Sequence, residues 1–257
     1  MDKTYKNRYE LKYILDYPTY IQIKKSIENI LRKDPEGNEN GKYEVISVYY
    51  DTEDLRFLQE KEEGESERVK LRLRRYKEIE REEQKNQQEN IQQNWVSIEV
   101  KRRRDQVVSK KRAVLQENVA RAFLKQPSLS DMFIKETTPQ EKSALHEIAY
   151  LKSVLQLEPK IVISYTRQAF VSRNGCPLRI TFDDNIRYRK SNFALERSIT
   201  DKHMLMPQHI IMEIKHTDYF PVWLLHIIQR NRCQRQTFSK YSKGMEHVLG
   251  EQNGLVY

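Results

Sequence analysis

The chain has 257 residues, 38% of them apolar and 32% charged, with a formal net charge of +9; one large β domain or two smaller ones could bury a proper core at that length. A cationic excess with pI near 9.3 selects anionic partners: nucleic acid, phosphorylated molecules, polyphosphate or an anionic membrane surface. Two cysteines, seven glycines without a phosphate loop, six histidines without zinc spacing, a polar M-D-K-T-Y-K-N-R start and no apolar run of bilayer length argue against a disulfide framework, a P-loop or Rossmann site, a structural zinc, a secretory signal and a membrane span, so a cytoplasmic protein is expected.

Tyr5 to Leu15 alternates, with Arg8, Glu10 and Lys12 on one face and Tyr9, Leu11 and Tyr13 on the other, which predicts a strand. Asp16-Tyr17-Pro18 then starts a helix whose approximate apolar stripe, Ile21, Ile23, Ile27, Ile30 and Leu31, runs up to Lys33. Tyr43 to Asp51, rich in Val, Ile and Tyr, is a strand, and a short helix or turn follows around Leu55 to Leu58. Charge is unevenly placed here. Glu53 to Glu67 holds seven acids against two bases and Lys77 to Asn94 five against three, so these segments sum to −7 and the remainder to +16.

Arg68 to Tyr76 has the cleanest period of two in the chain. Arg68, Lys70, Arg72 and Arg74 share one face of the extended backbone, and Val69, Leu71 and Leu73 share the other. Four like charges in a row are tolerable when solvated and useful when a polyanion lies across them. Lys77 to Asn94, almost without apolar residues, is expected to be a mobile loop or hairpin tip. Trp95 to Arg103 resumes alternation with Glu99, Lys101 and Arg103 together, and Val107 to Leu115 is its partner, bearing Lys110 and Arg112. Glu117 to Lys125 and Pro139 to Leu157 are helical. Lys160 to Ser172 is a strand that puts Tyr165 and Arg167 on one face; Asn174-Gly175 signals a hairpin, and Leu178 to Asp184 returns with Arg179 and Asp183. His209 to His216 is one more strand, carrying Glu213 and Lys215, before a helix from about Pro221 to Gln229, the run Gln236-Thr-Phe-Ser-Lys-Tyr and a final helical segment.

Six strands thus carry Arg, Lys, Glu and Tyr on one face. If the sheet closes with those faces inward and helices cover the apolar outside, the fold is α+β: an eight-stranded antiparallel β-barrel tunnel with a charged interior. The other reading is a twisted sheet with a solvated basic face. Specific nucleic-acid binding is disfavoured, because few aromatics stand as base-stacking platforms among the cations.

R-Y-E-L-K-Y, S-V-Y-Y-D, V-K-L-R-L-R-R-Y, S-I-E-V-K-R-R, Y-T-R-Q-A-F, R-I-T-F-D, M-E-I-K and F-S-K-Y occur in this order. Together they resemble the VTC domain, the polyphosphate polymerase branch of the triphosphate tunnel metalloenzymes (CYTH-like superfamily), from about residue 5 to 249. The resemblance implies one domain over 1–257 that transfers the γ-phosphoryl group of ATP to growing polyphosphate, with Mn²⁺ or Mg²⁺. It places Lys12, Arg72, Arg74, Lys101, Arg167, Arg179 and Lys240 in the catalytic set. Arg8, Lys70, Lys110, Arg112, Tyr165, Lys215 and Ser239 would hold substrate, and Glu213, with Glu99 and Glu10, the metal. The chain departs from the E-x-E-x-K start of smaller superfamily members, having Arg8-x-Glu10-x-Lys12, which thins the metal site. The competing readings are a metal-dependent triphosphatase or polyphosphatase and a non-catalytic polyanion-binding module; an unidentified protein partner is compatible with all three.

Overall fold

The computed structural model describes residues 9–78, 94–105, 107–127, 137–173, 177–217 and 219–252. Arg8, the Asn174-Gly175 turn and all but the ends of the 77–94 segment fall outside them. Ten strands and six helices lie within them: β1 (Tyr9–Leu15), α1 (Tyr17–Glu28), β2 (Arg32–Lys33), β3 (Lys42–Asp51), α2 (Arg56–Glu62), β4 (Glu67–Glu78), β5 (Trp95–Arg104), β6 (Val107–Gln116), α3 (Glu117–Lys125), α4 (Pro139–Leu155), β7 (Glu158–Val171), β8 (Arg179–Arg189), β9 (Lys202–His203), β10 (Ile210–His216), α5 (Val222–Arg230) and α6 (Lys240–Gln252).

Local chemistry sets the helix starts. Asp16 caps α1 by accepting the Thr19 N–H, with Pro18 in the first turn. Thr138 and Glu141 form a reciprocal capping box ahead of α4, again with proline at its head. At α2 the cap comes from the preceding strand: buried Asp51 accepts the N–H groups of Thr52, Phe57 and Leu58.

Eight strands form one antiparallel path in the order β1-β10-β8-β7-β3-β4-β5-β6, with β2 and β9 attached to β7 and β8. Alternation sends one residue set outward. There Leu71, Leu73, Ile98 and Val100 bury against Phe123 of α3 and Leu145 and Ile148 of α4. A second cluster packs Ile23 and Ile27 of α1 and Leu224 of α5 on Phe182, Met212 and Ile214. Each such large side chain contributes about 1.5–3 kcal/mol when taken out of water.

The expected barrel does not close. The sheet is a curled half-barrel whose end strands, β1 and β6, do not pair. The reason is visible at β1: Tyr13 bridges Arg235 and the Lys12 carbonyl accepts the Gln236 N–H at 2.9 Å. The segment leading into α6 therefore occupies the edge that closure would need. On β6 that edge bears Lys110, Lys111 and Arg112, charges that discourage strand addition. Among the described residues, α6 stands apart from the outer helices. It lies on the concave side, packing Tyr241, Met245 and Val248 with Tyr49, Ile161 and Ile163. Gly244 permits this approach, because a Cβ there would stand 2.7 Å from Ile161 Cδ1.

Candidate functional site

The register explains the concave face. Lys70, Arg72 and Arg74 of β4 pair across with Lys101, Glu99 and Ser97 of β5, and Arg72 and Arg74 pair on the other side with Tyr49 and Ser47 of β3. Glu99 and Lys101 oppose Arg112 and Lys110 of β6. Arg167 of β7 faces Tyr43 and Asp183, while Glu213 of β10 lies between Lys12 and Thr181. Period-two alternation then turns all of these inward together.

Within that basin most cations already hold a carboxylate. Glu99, 1% exposed, accepts Arg72 Nε at 2.7 Å and Lys110 Nζ at 2.7 Å. Burial disfavours its charge, but Arg72, Arg74 and Lys110 outweigh that and hold its pKa well below the carboxylate range. Asp183, fully buried, takes Arg167 through both oxygens, at 2.6 and 2.8 Å, and Lys240 at 2.6 Å. Glu213 contacts Lys215 at 2.6 Å, and Lys12 reaches Glu10 at 2.9 Å. Burial works against the Glu213 charge too, and Lys215, Lys12, Arg167 and Lys240 drive its pKa far down. Arg179 lies 2.5 Å from Asp34 and donates to Tyr43 Oη.

Lys70 and Arg74 differ. Lys70 donates to Ser239 Oγ at 2.9 Å; Arg74, 4% exposed, donates to Ser47 Oγ at 2.9 Å and Tyr76 Oη at 3.3 Å. Among the described residues neither has a carboxylate within ion-pair distance. Beside Arg74 the buried Ser97 Oγ has no hydrogen-bond partner. A buried cation without a counter-carboxylate and an unused hydroxyl next to it make a receptor for an external oxyanion.

The strap that blocks β1 also delivers the last components. Lys12 Nζ donates to the Phe238 carbonyl at 2.9 Å. Ser239 Oγ accepts from Ser242 N–H at 3.3 Å, which is capping geometry at the start of α6. Lys240, the first residue of α6, stands 4.5 Å over the Tyr165 ring, and the Arg167 guanidinium 5.3 Å from it.

A family model described as VTC domain matches residues 7–249. The chain belongs to the VTC domain family. That family has the triphosphate tunnel metalloenzyme-like fold, and membership supports a polyphosphate-related function. No curated protein matches the chain. Among solved structures, a similar one is the PH1819 protein from Pyrococcus Horikoshii OT3, 12% identical, with 96% of this chain and 99% of that chain covered and a TM-score of 0.46.

In this VTC domain the expected site residues do not all converge. Lys12, Lys70, Arg72, Arg74, Arg167, Tyr165, Glu213, Ser239 and Lys240 share the centre. Lys101, 3.9 Å from Glu10 across the seam, and Lys110 are rim residues. Arg112 is exposed on the edge strand, near Glu141. The residues that sequence reasoning missed are the ones that hold others: Tyr49 beside Arg72, Asp183 between Arg167 and Lys240, and Asp34 under Arg179. Two of these left a signal: Tyr49 shares strand parity with Ser47 inside the S-V-Y-Y-D motif, and Asp183 alternates onto the same face as Arg179.

For a metal, Glu10 and Glu213 are the compatible pair. They lie diagonally across the β1–β10 register, and each acid is close enough for the Glu213 charge to oppose ionisation of Glu10. Both offer the hard oxygen donors that Mg²⁺ or Mn²⁺ prefers. Glu99 is on the opposite wall, held by two cations. No cluster of three or more candidate ligands occurs among the described residues, so the protein's own share of a metal shell would be this pair.

Proposed function

We propose that this VTC-domain protein is a metal-dependent polyphosphate polymerase that moves the γ-phosphoryl group of ATP onto a polyphosphate end and releases ADP. The observation that carries the reading is the buried Arg74, with Lys70 beside it, uncompensated by carboxylate in a basin otherwise full of ion pairs. Side chains alone must hold the phosphates, because the chain offers no glycine-rich cradle.

Arg74, Arg72 and Lys70 would take the transferring phosphate, with Arg74 offering a planar fork and Lys70 a point charge. Arg167 and Lys240, aligned by Asp183, would hold the neighbouring phosphate, and Lys12 with the rim lysines the chain beyond. An oxygen of the acceptor terminus bonds to the γ-phosphorus as the bond to the bridging oxygen of ADP breaks. The protein's share is alignment and neutralisation of charge on the equatorial oxygens. Glu213 and Glu10 would hold Mg²⁺ or Mn²⁺, which would supply Lewis-acid neutralisation of phosphate charge.

Incubation of the purified protein with ATP and Mn²⁺, resolved on a polyphosphate gel, tests this. Long-chain polyphosphate with stoichiometric ADP supports the polymerase. Orthophosphate release instead identifies a hydrolase, and neither product, with polyphosphate affinity surviving chelation, identifies a binding module.

A further inference from the structure

Lys70 and Arg74 lack a carboxylate, yet both face one acidic group that the polyphosphate reading leaves without a role. Tyr49 is the register partner of Arg72, 6% exposed, and its Oη accepts from Arg72 Nη1 at 3.3 Å. Its ring is pinned by stacking on Tyr241, centroids 5.3 Å apart, with the Arg72 guanidinium 5.9 Å away. The groups around it are Lys70, Arg72 and Arg74 from β4, Lys12 from β1, Glu99 of β5 beyond Arg72, Tyr165 of β7 and Tyr241 of α6. Cations dominate that set, and Glu99 is already bound to Arg72 and Lys110.

We propose that Tyr49 is a phosphate-binding residue of this basin that meets its ligand as a proton donor, after serving as the phenolate counter-ion of Lys70, Arg72 and Arg74. The inference rests on the polyphosphate reading of the site. Burial opposes ionisation of the phenol, but Arg72, Arg74 and Lys70 reverse the balance and lower its pKa to about 7. Burial likewise pushes the Lys70 ammonium down to about 8, with Tyr49 pulling the other way.

A phosphate arriving beside these cations supplies the negative charge that the phenolate supplied. Two anions on one set of cations repel, so the phenolate oxygen takes one proton from solvent and its new O–H points at a phosphate oxygen. No bond to phosphorus forms or breaks. Binding is then linked to the uptake of a proton, and Tyr49 makes affinity fall as pH rises above about 7, by up to about tenfold per pH unit. Deprotonation of the ligand itself acts in the opposite direction, since a more charged polyphosphate binds cations better.

The test uses intact protein and inorganic tripolyphosphate without metal. Near-ultraviolet difference spectra of the wild type, Tyr49→Phe and Tyr76→Phe are followed through neutral to mildly alkaline pH, with calorimetry on the same samples. A phenolate band that develops near neutrality in the wild type and Tyr76→Phe, is missing in Tyr49→Phe and is bleached by tripolyphosphate supports the proposal. The affinity of Tyr49→Phe should also fall less with rising pH than that of the wild type. If Tyr49→Phe does not fold, bleaching of one phenolate equivalent in the wild type still decides. Tripolyphosphate binding with the band unchanged, or no band near neutrality, overturns the proposal and leaves the polyphosphate reading intact. Absence of tripolyphosphate binding overturns both.

Discussion

The Arg167 guanidinium grips both carboxylate oxygens of Asp183, and Asp183 is wholly out of contact with water. Lys240 on α6 shares the second oxygen, so one carboxylate fixes two cations from different elements at a set spacing. Asp183→Asn removes the charge and leaves both cations buried. The expected cost is about 3–5 kcal/mol in urea unfolding, and Lys240 should lose its orientation. A variant as stable as wild type would show that the cluster is not buried as described.

Arg74→Ala is expected to abolish turnover and weaken tripolyphosphate binding by about one to two decades, since a charge-assisted bond is worth about 1.5–3 kcal/mol. Lys101→Ala, at the exposed rim, should lose well under a decade. Calorimetric titration of both variants checks this, and equal effects would mean that burial does not rank these cations.

Glu99 and Glu213 titrate below their ordinary value of 4.5. Because the folded form holds them ionised more strongly than the unfolded chain does, their contribution to stability is full above about pH 4.5. It is lost as pH falls through the lower folded values. Melting temperature should therefore decline steadily in acid, and Glu99→Gln should flatten that decline. An unchanged acid limb would contradict the ion-pair geometry.

Asp51 joins the site to its support. It caps α2 through the Phe57 and Leu58 amides and accepts the Tyr241 hydroxyl, while Tyr241 stacks on Tyr49. Tyr241→Phe keeps the stack and loses the hydroxyl, and should cost about 1–3 kcal/mol by leaving a buried acceptor short of a partner. Thermal unfolding reads the loss, and a turnover assay reads any shift of Lys240, two conditions that an isolated surface contact would not move together.

Gly244→Ala is expected to cost about 1–3 kcal/mol. The added Cβ would meet Ile161 Cδ1 at 2.7 Å and Met204 Cε at 3.0 Å. An unaltered unfolding midpoint would mean that α6 does not sit this close to β7.

Much of the basin was legible from strand parity alone, because charged residues at i, i+2 and i+4 can only share a face once the backbone is extended. Arg72, Arg74, Glu99, Arg167 and Glu213 all turned inward for that reason. Tertiary pairing hid the rest. The helical stripe that runs to Lys33 stops at Glu28, because Arg32 and Lys33 pair with Val171 and Phe170. Strand β8 runs on to Arg189, past Asp184, because a register shift opposite Ser164–Thr166 and a left-handed Asn185, φ 48°, let it bend and continue. The open seam depends on Gln236 meeting Lys12, a contact between residues far apart in sequence for which no local pattern exists. Asp51 looks like an ordinary strand residue until its neighbours are in place.

The contrast between buried Arg74 and exposed Lys101 has a kinetic side. Mobile ions screen charges that face solvent and barely reach those that do not. Rim lysines should therefore steer an incoming polyanion at low ionic strength, whereas Arg74, already stripped of water, governs how long it stays. Added salt would slow arrival far more than it hastens departure.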